Sequence, residues 1–107
     1  MTVKDKSEFL LMQLILMFQT AALQQMGKLK NPLTDTIERD LQQAQISIDI
    51  IEMLHARMKG NLTADEDRLF TDILREVKLN YVDEAAKSQA AKNQQPPVSS
   101  TSESSPR

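Results

Sequence analysis

The sequence has no cysteine and no tryptophan, one tyrosine, three phenylalanines, two glycines and one histidine. Without cysteine there is neither a disulfide framework nor a thiolate metal site, which fits a reducing cytoplasm. So few aromatic rings leave little for bases to stack on. The 13 Lys and Arg are dispersed among 15 Asp and Glu, so a basic nucleic-acid-binding face has no support. Few glycines, six methionines and many Leu, Ile and Gln favour an all-α chain. At 107 residues the chain holds one domain at most, and its core covers only a modest share of its surface.

What is present is organised around Ile46 to Glu66. Lys59-Gly60-Asn61-Leu62 separates two segments of helical periodicity. Gly60 supplies the positive φ that commonly ends a helix, with Arg57 and Lys59 at the negative end of the helix dipole. Thr63 opens the next helix. Its hydroxyl faces the free N–H groups of the first turn, and Glu66 reaches back to the Thr63 N–H, a capping box reinforced by Asp65 and Asp67. A stop and a start this close predict an antiparallel helical hairpin.

The first helix is predicted over residues 7–27, with Ser7 as its cap and Gly27 as its stop, after a flexible stretch 1–6. Of the 18 residues from Phe9 to Met26, 13 are apolar and none is charged, so this helix must be covered on several sides. Its unbroken apolar run is too short to span a bilayer, which needs about 20 residues. A secretory signal is not expected either, because Asp5 and Glu8 interrupt the basic start and Ala21-Ala22-Leu23 is a poor cleavage site. Lys28–Thr34 reads as a loop around Asn31-Pro32.

The second helix is predicted over 35–59, capped by Asp35 or Thr36, with Glu38 completing a capping box. Its core face is Ile37, Leu41, Ala44, Ile48, Ile51 and Met58, with His55 among them and its ring tip at the rim. A second apolar face, Ile46, Ile50, Met53 and Leu54, lies opposite and calls for a second layer, which another subunit could supply. The third helix is predicted over 63–88. Leu69, Phe70, Ile73, Leu74, Val77 and Tyr81 form its core face, and Leu79 and Val82 lie off it. From Asn93 onward, NQQPPVSSTSESSPR has almost nothing to bury and reads as a disordered tail, 93–107.

Chemistry finds little footing. Glu52-x-x-His55 has the spacing of di-iron bundle ligands, but such a site needs two copies and two more carboxylates, which only a homodimer could begin to supply. Lys59-Gly60-Asn61 before a helix start could hold an anion, yet the neighbouring acids occupy that end and the glycines and lysine of a P-loop are missing. No Ser, Thr or Cys pairs with His55 as a nucleophile. No catalytic, metal or cofactor residue is therefore assigned, and the chain is read as a non-enzyme. Met12, Met17, Met26, Met53 and Met58 suit core filling, or an adaptable binding surface.

Asn31-Pro32-Leu33-Thr34, Asp40-Leu41, Ala44, Ile48-Asp49, Met53-Leu54, Lys59–Thr63, Glu66 and Tyr81-Val82 together resemble a bacterial family known only as a domain of unknown function. Its pattern is close to NPxTG…DLxxAxxxIDxLxMLxxKTKGNLTxxE…YV, and the likeness spans about residues 10–82. Asp35 stands where that family usually has Gly, and Met58 where it has Thr. The resemblance implies a small helical bacterial protein of the cytoplasm, and it brings no activity, cofactor or catalytic residue.

The expectation is a three-helix bundle, with an antiparallel hairpin of helices two and three, over residues 7–92. Its expected role is a non-catalytic homo-oligomeric interaction module, using Leu11, Ile15, Phe18, Ile46, Ile50 and Met53, with an unknown protein as a further possible partner. Gly60, Asn61, Thr63 and Glu66 are assigned to the structural turn and cap. The alternatives are a membrane-surface protein laying its first helix in the lipid interface, for which Lys4, Lys6, Lys28 and Lys30 flank that helix without lining it, and, remotely, a metal-dependent enzyme sharing Glu52 and His55 across a dimer.

Overall fold

The computed structural model describes residues 2–93. Three helices follow in order: α1, Val3–Gln25; α2, Leu41–Arg57; and α3, Ala64–Asn93. The all-α bundle expected from the sequence is the one observed, and the described residues contain no strand beyond one isolated bridge, Asn31 to Thr36. The segment 94–107, most of the expected disordered tail, lies outside the described residues.

The direction of each helix can be read from its cross-helix partners. Along α2 and α3, His55 meets Asp67 and Glu52 meets Lys78, so residue numbers climb on one helix as they fall on the other, and the pair is antiparallel. Along α1 and α3, Glu8 meets Thr63, Gln19 meets Glu76 and Lys28 just past α1 meets Asp83, so these two run parallel. The bundle is therefore up, down, up.

Its core is built from Ile15, Ala22 and Met26, from Ala44, Ile48 and Ile51, and from Phe70, Ile73, Leu74 and Val77. Leu69 and Tyr81 pack against it, so the expected core face of α3 is the observed one, and Leu79 and Val82 are exposed as their wheel positions required.

The Thr63 cap forms as its sequence spacing dictates. Glu66 N–H donates to Thr63 Oγ1 at 3.1 Å, and Thr63 N–H donates to Glu66 Oε1 at 2.8 Å. Thr63 Oγ1 also donates to Glu8 Oε2 at 3.2 Å, which clips the start of α1 to the start of α3. Gly60 adopts φ +89°, and Asn61 N–H closes the turn on Met58 O at 2.9 Å. Gly27 adopts φ +91°. There Lys28 N–H bonds to Leu23 O and Gly27 N–H to Gln24 O, a Schellman motif that satisfies the last carbonyls of α1.

Three boundaries differ from expectation by more than two residues. Helix α1 starts at Val3, not at residue 7, because Thr2 Oγ1 accepts from Asp5 N–H at 3.1 Å and caps it; Ser7 lies inside the helix, and most of the 1–6 stretch is helical. Helix α3 continues to Asn93, five residues past the expected 88, and draws in the first residue assigned to the tail. The largest correction is to α2, which begins at Leu41 and not at residue 35. Asp35 is left-handed at φ +55°, a backbone that no helix accommodates. Glu38 does not complete a capping box, since its carboxylate accepts from Asn31 Nδ2 at 3.1 Å and Thr34 Oγ1 at 3.1 Å. The cap is Asp40, whose side chain accepts from Gln43 N–H at 3.1 Å. Ile37 consequently leaves the expected core face and stands 58 % exposed in the loop.

Candidate interaction surface

Helix α1 is where the sequence is apolar on nearly every side, and the bundle covers only part of it. Ile15 and Ala22 are fully buried in the chain's own core, with Met26 just beyond the helix. Leu11, Phe18 and Leu23 lie half-buried at the edge of that contact. On the far side, Leu10, Leu14, Met17 and Ala21 follow one another at helical spacings of four, three and four. Phe9, Leu10, Leu14, Leu16 and Met17 are each 39–66 % exposed. Two shallow depressions lie along this side. One of about 390 Å³ is lined by Gln13, Leu16, Met17, Thr20, Ala21 and Gln24. The other, of about 210 Å³, is lined by Leu14, Met17, Phe18 and Ala21.

The residues expected to form an interaction surface therefore separate. Ile15 is internal, and no partner reaches it without unfolding α1; a wheel that is apolar all round cannot say which arc the hairpin takes. Leu11 and Phe18 are rim residues. On α2, Ile46 and Met53 are exposed at 48 % and 45 %, and Ile50 is half-buried beside them. Leu54, expected on the same face, packs against the chain's own core, so that face is uncovered only at Ile46 and Met53. Leu10, Leu14 and Met17, which periodicity alone does not separate from Leu11 and Ile15, are the outward residues of α1.

The pair Glu52 and His55 points two ways. His55 Nε2 lies 2.7 Å from Asp67 Oδ1, and its ring stacks on Phe70 with centroids 5.0 Å apart. Glu52 is held by the Lys78 ammonium. A depression of about 330 Å³ is lined by Glu52, His55, Ala56, Lys59, Asp67 and Leu74. Among the described residues, no three His, Cys, Asp or Glu side chains are grouped so as to hold a metal ion. His55 sits as expected, on the core face with its ring tip at the rim.

One cluster had no signal in local sequence beyond the i, i+3 pair of Glu84 and Lys87. Glu84, with its side chain only 9 % exposed, meets Lys28 at 3.0 Å, Lys87 at 2.9 Å and Arg39 at 3.4 Å. Arg39 Nη2 also donates to the Glu84 carbonyl. The hydrogen bonds from Lys87 and Lys28 hold the Glu84 carboxyl below its usual value, and the bond from Lys28 does the same for Asp83. Their carboxylates in turn push the Lys28 ammonium above the ordinary lysine range. The cluster ties the segment between α1 and α2 to the C-terminal half of α3. Ser47, also buried, donates to Gln25 Oε1 at 2.6 Å and joins α2 to the end of α1.

No described helix is long and apolar enough to cross a membrane. Residues 7–83 match a family described as a domain of unknown function, DUF1844. The chain belongs to that family. The match runs from within α1, through α2 and both connections, to Asp83 in α3, and it agrees with the resemblance to an all-helical family of unknown function. Neither a curated protein nor a solved structure matches the chain.

Proposed function

We propose that this member of the DUF1844 family is a non-catalytic interaction module that assembles with itself through the outer face of α1. The observation that carries this reading is the exposed row Leu10, Leu14 and Met17 on a helix without a charged residue from Phe9 to Gly27. With Phe9 and Leu16, that face leaves roughly 400 Å² of apolar side chain in water, taking about 150–200 Å² for each bare side chain of this size. A stable dimer covers about 800 Å² per partner, of which about 65 % is apolar at homodimer interfaces. The uncovered apolar face of α1 supplies most of that share. A copy-to-copy contact on α1 also strips water from no charge, so it avoids the main penalty that polar faces meet on association.

The test is the molar mass of the full chain by light scattering during gel filtration, over a concentration series. The expected result is a mass at least twice the 12.1 kDa of one chain. Leu10→Gln combined with Met17→Gln should return it to one chain with its helix content unchanged. A wild-type chain that stays monomeric throughout would refute self-assembly. Flotation of that monomer with anionic vesicles would then favour a role at a membrane surface.

A further inference from the structure

The connection between α1 and α2 is a built object. Asn31 N–H bonds to Thr36 O at 2.8 Å and Asp35 N–H to Asn31 O at 2.7 Å. Asn31 Oδ1 accepts from Leu33 N–H at 2.9 Å. The Glu38 carboxylate gathers Asn31, Thr34 and Thr36 around itself, and those hydrogen bonds hold its pKa below the usual value. Asp40 N–H anchors the loop's end on Gln25 O at 2.6 Å. At the tip of this rigid frame Leu33 stands 93 % exposed. A side chain presented on a preorganised loop loses little further freedom when it is bound.

We propose that Leu33 of one copy seats in the depression formed by Leu14, Met17, Phe18 and Ala21 on a second copy. This rests on the self-assembly reading above and adds its geometry. The depression measures about 210 Å³ and is walled almost wholly by carbon. The depression is open to solvent and wide enough for a leucine side chain to rest against Leu14, Met17, Phe18 and Ala21. Knob and hole are uncharged: the groove lies in the charge-free stretch of α1, Pro32 and Thr34 flank Leu33, and Lys30 stands against Asp35 nearby. Within one chain the two never meet, since Leu33 is almost fully in water. A knob and a hole at different places on one molecule either close as a reciprocal pair or propagate. Closure suits this chain. Ala21 lies four residues, roughly 6 Å, before the end of α1, and the loop follows directly. Two α1 helices crossing near their C-terminal ends bring each loop alongside the other copy's groove.

The absence of native cysteine makes the test direct. Leu33→Cys and Ala21→Cys chains are prepared separately, mixed and mildly oxidised. The expected product is a dimer whose linked peptides, identified by mass spectrometry, join positions 33 and 21. Leu33→Ser should weaken dimerisation by tenfold or more and leave the melting temperature of the dilute, monomeric chain unchanged. A wild-type dimer that yields no 33-to-21 link, or a Leu33→Ser chain that dimerises at full strength, overturns the proposal and leaves self-assembly through another face standing. A monomeric wild-type chain overturns both readings together. Leu33-dependent flotation of such a monomer with anionic vesicles would assign the knob to a lipid surface.

Discussion

Ile15 and Met17 sit two residues apart on α1, and they test whether that helix faces inward as described. Ile15 is fully buried, while Met17 is 66 % exposed. Ile15→Ala removes three carbon groups from the core. At about 0.8 kcal/mol for each buried methylene, their transfer alone contributes about 2.4 kcal/mol. The space left beside Ala22 and the hairpin adds a cavity contribution, which brings the loss to about 3 kcal/mol, within the 2–5 kcal/mol range of such truncations. A domain of this size has on the order of 5–14 kcal/mol in total, so the variant should fold but melt about 12–24 °C lower. In urea, followed by far-ultraviolet circular dichroism, its midpoint should fall with an unchanged slope. Met17→Ala should shift the dilute protein by less than about 0.5 kcal/mol, as exposed positions do. Its effect should grow with protein concentration, because Met17 acts in the assembly and Ile15 in the fold. A loss below about 1 kcal/mol for Ile15→Ala, or equal losses for both at low concentration, would refute this placement of α1.

Other expectations follow from caps, turns and ion pairs. Thr63→Ala should lower stability by about 1 kcal/mol in chemical denaturation, and Glu66→Ala should add less than its own loss on top, because the two side chains satisfy one capping box. Gly60→Ala should destabilise by about 1–2 kcal/mol through its positive φ alone, since an added Cβ there meets nothing within 4 Å. Gly27→Ala should lose more in the same assay, because its Cβ would lie 3.3 Å from Arg39 Cδ and disturb the arginine that bonds to the Glu84 carbonyl. Acid should loosen the Glu84 cluster. The folded carboxyl titrates below its ordinary 4.5, so the unfolded chain binds more protons in that range. The contribution is complete above 4.5 and disappears as pH falls through the folded value. Urea midpoints measured against pH should therefore decline on the acid side, and Glu84→Gln should make that decline shallower.

Local rules carried much of this protein. The capping box at Thr63 and Glu66, the stops at Gly27 and Gly60, and the core face of α3 depend on residues three or four apart, and each formed as its spacing implies. The family likeness was legible in the sequence as well, and residues 7–83 match that family. Three matters were settled only in space. The periodicity of Ile37, Leu41 and Ala44 fits a helix from residue 35, but Asn31 and Thr34 claim Glu38, and Gln25 O claims the Asp40 N–H, so the helix waits until Leu41. The inward arc of α1 could not be chosen from a wheel apolar on nearly all sides; packing against α2 and α3 selected Ile15 and Ala22 and turned Leu10, Leu14 and Met17 outward. The Glu84 cluster adds Lys28 and Arg39 to the local Glu84–Lys87 pair, and a carboxylate meets those two distant cations only once the packing of the bundle brings them together. Periodicity and capping are properties of a helix by itself, whereas the uncovered face of α1 depends on how much of that helix the other two can reach.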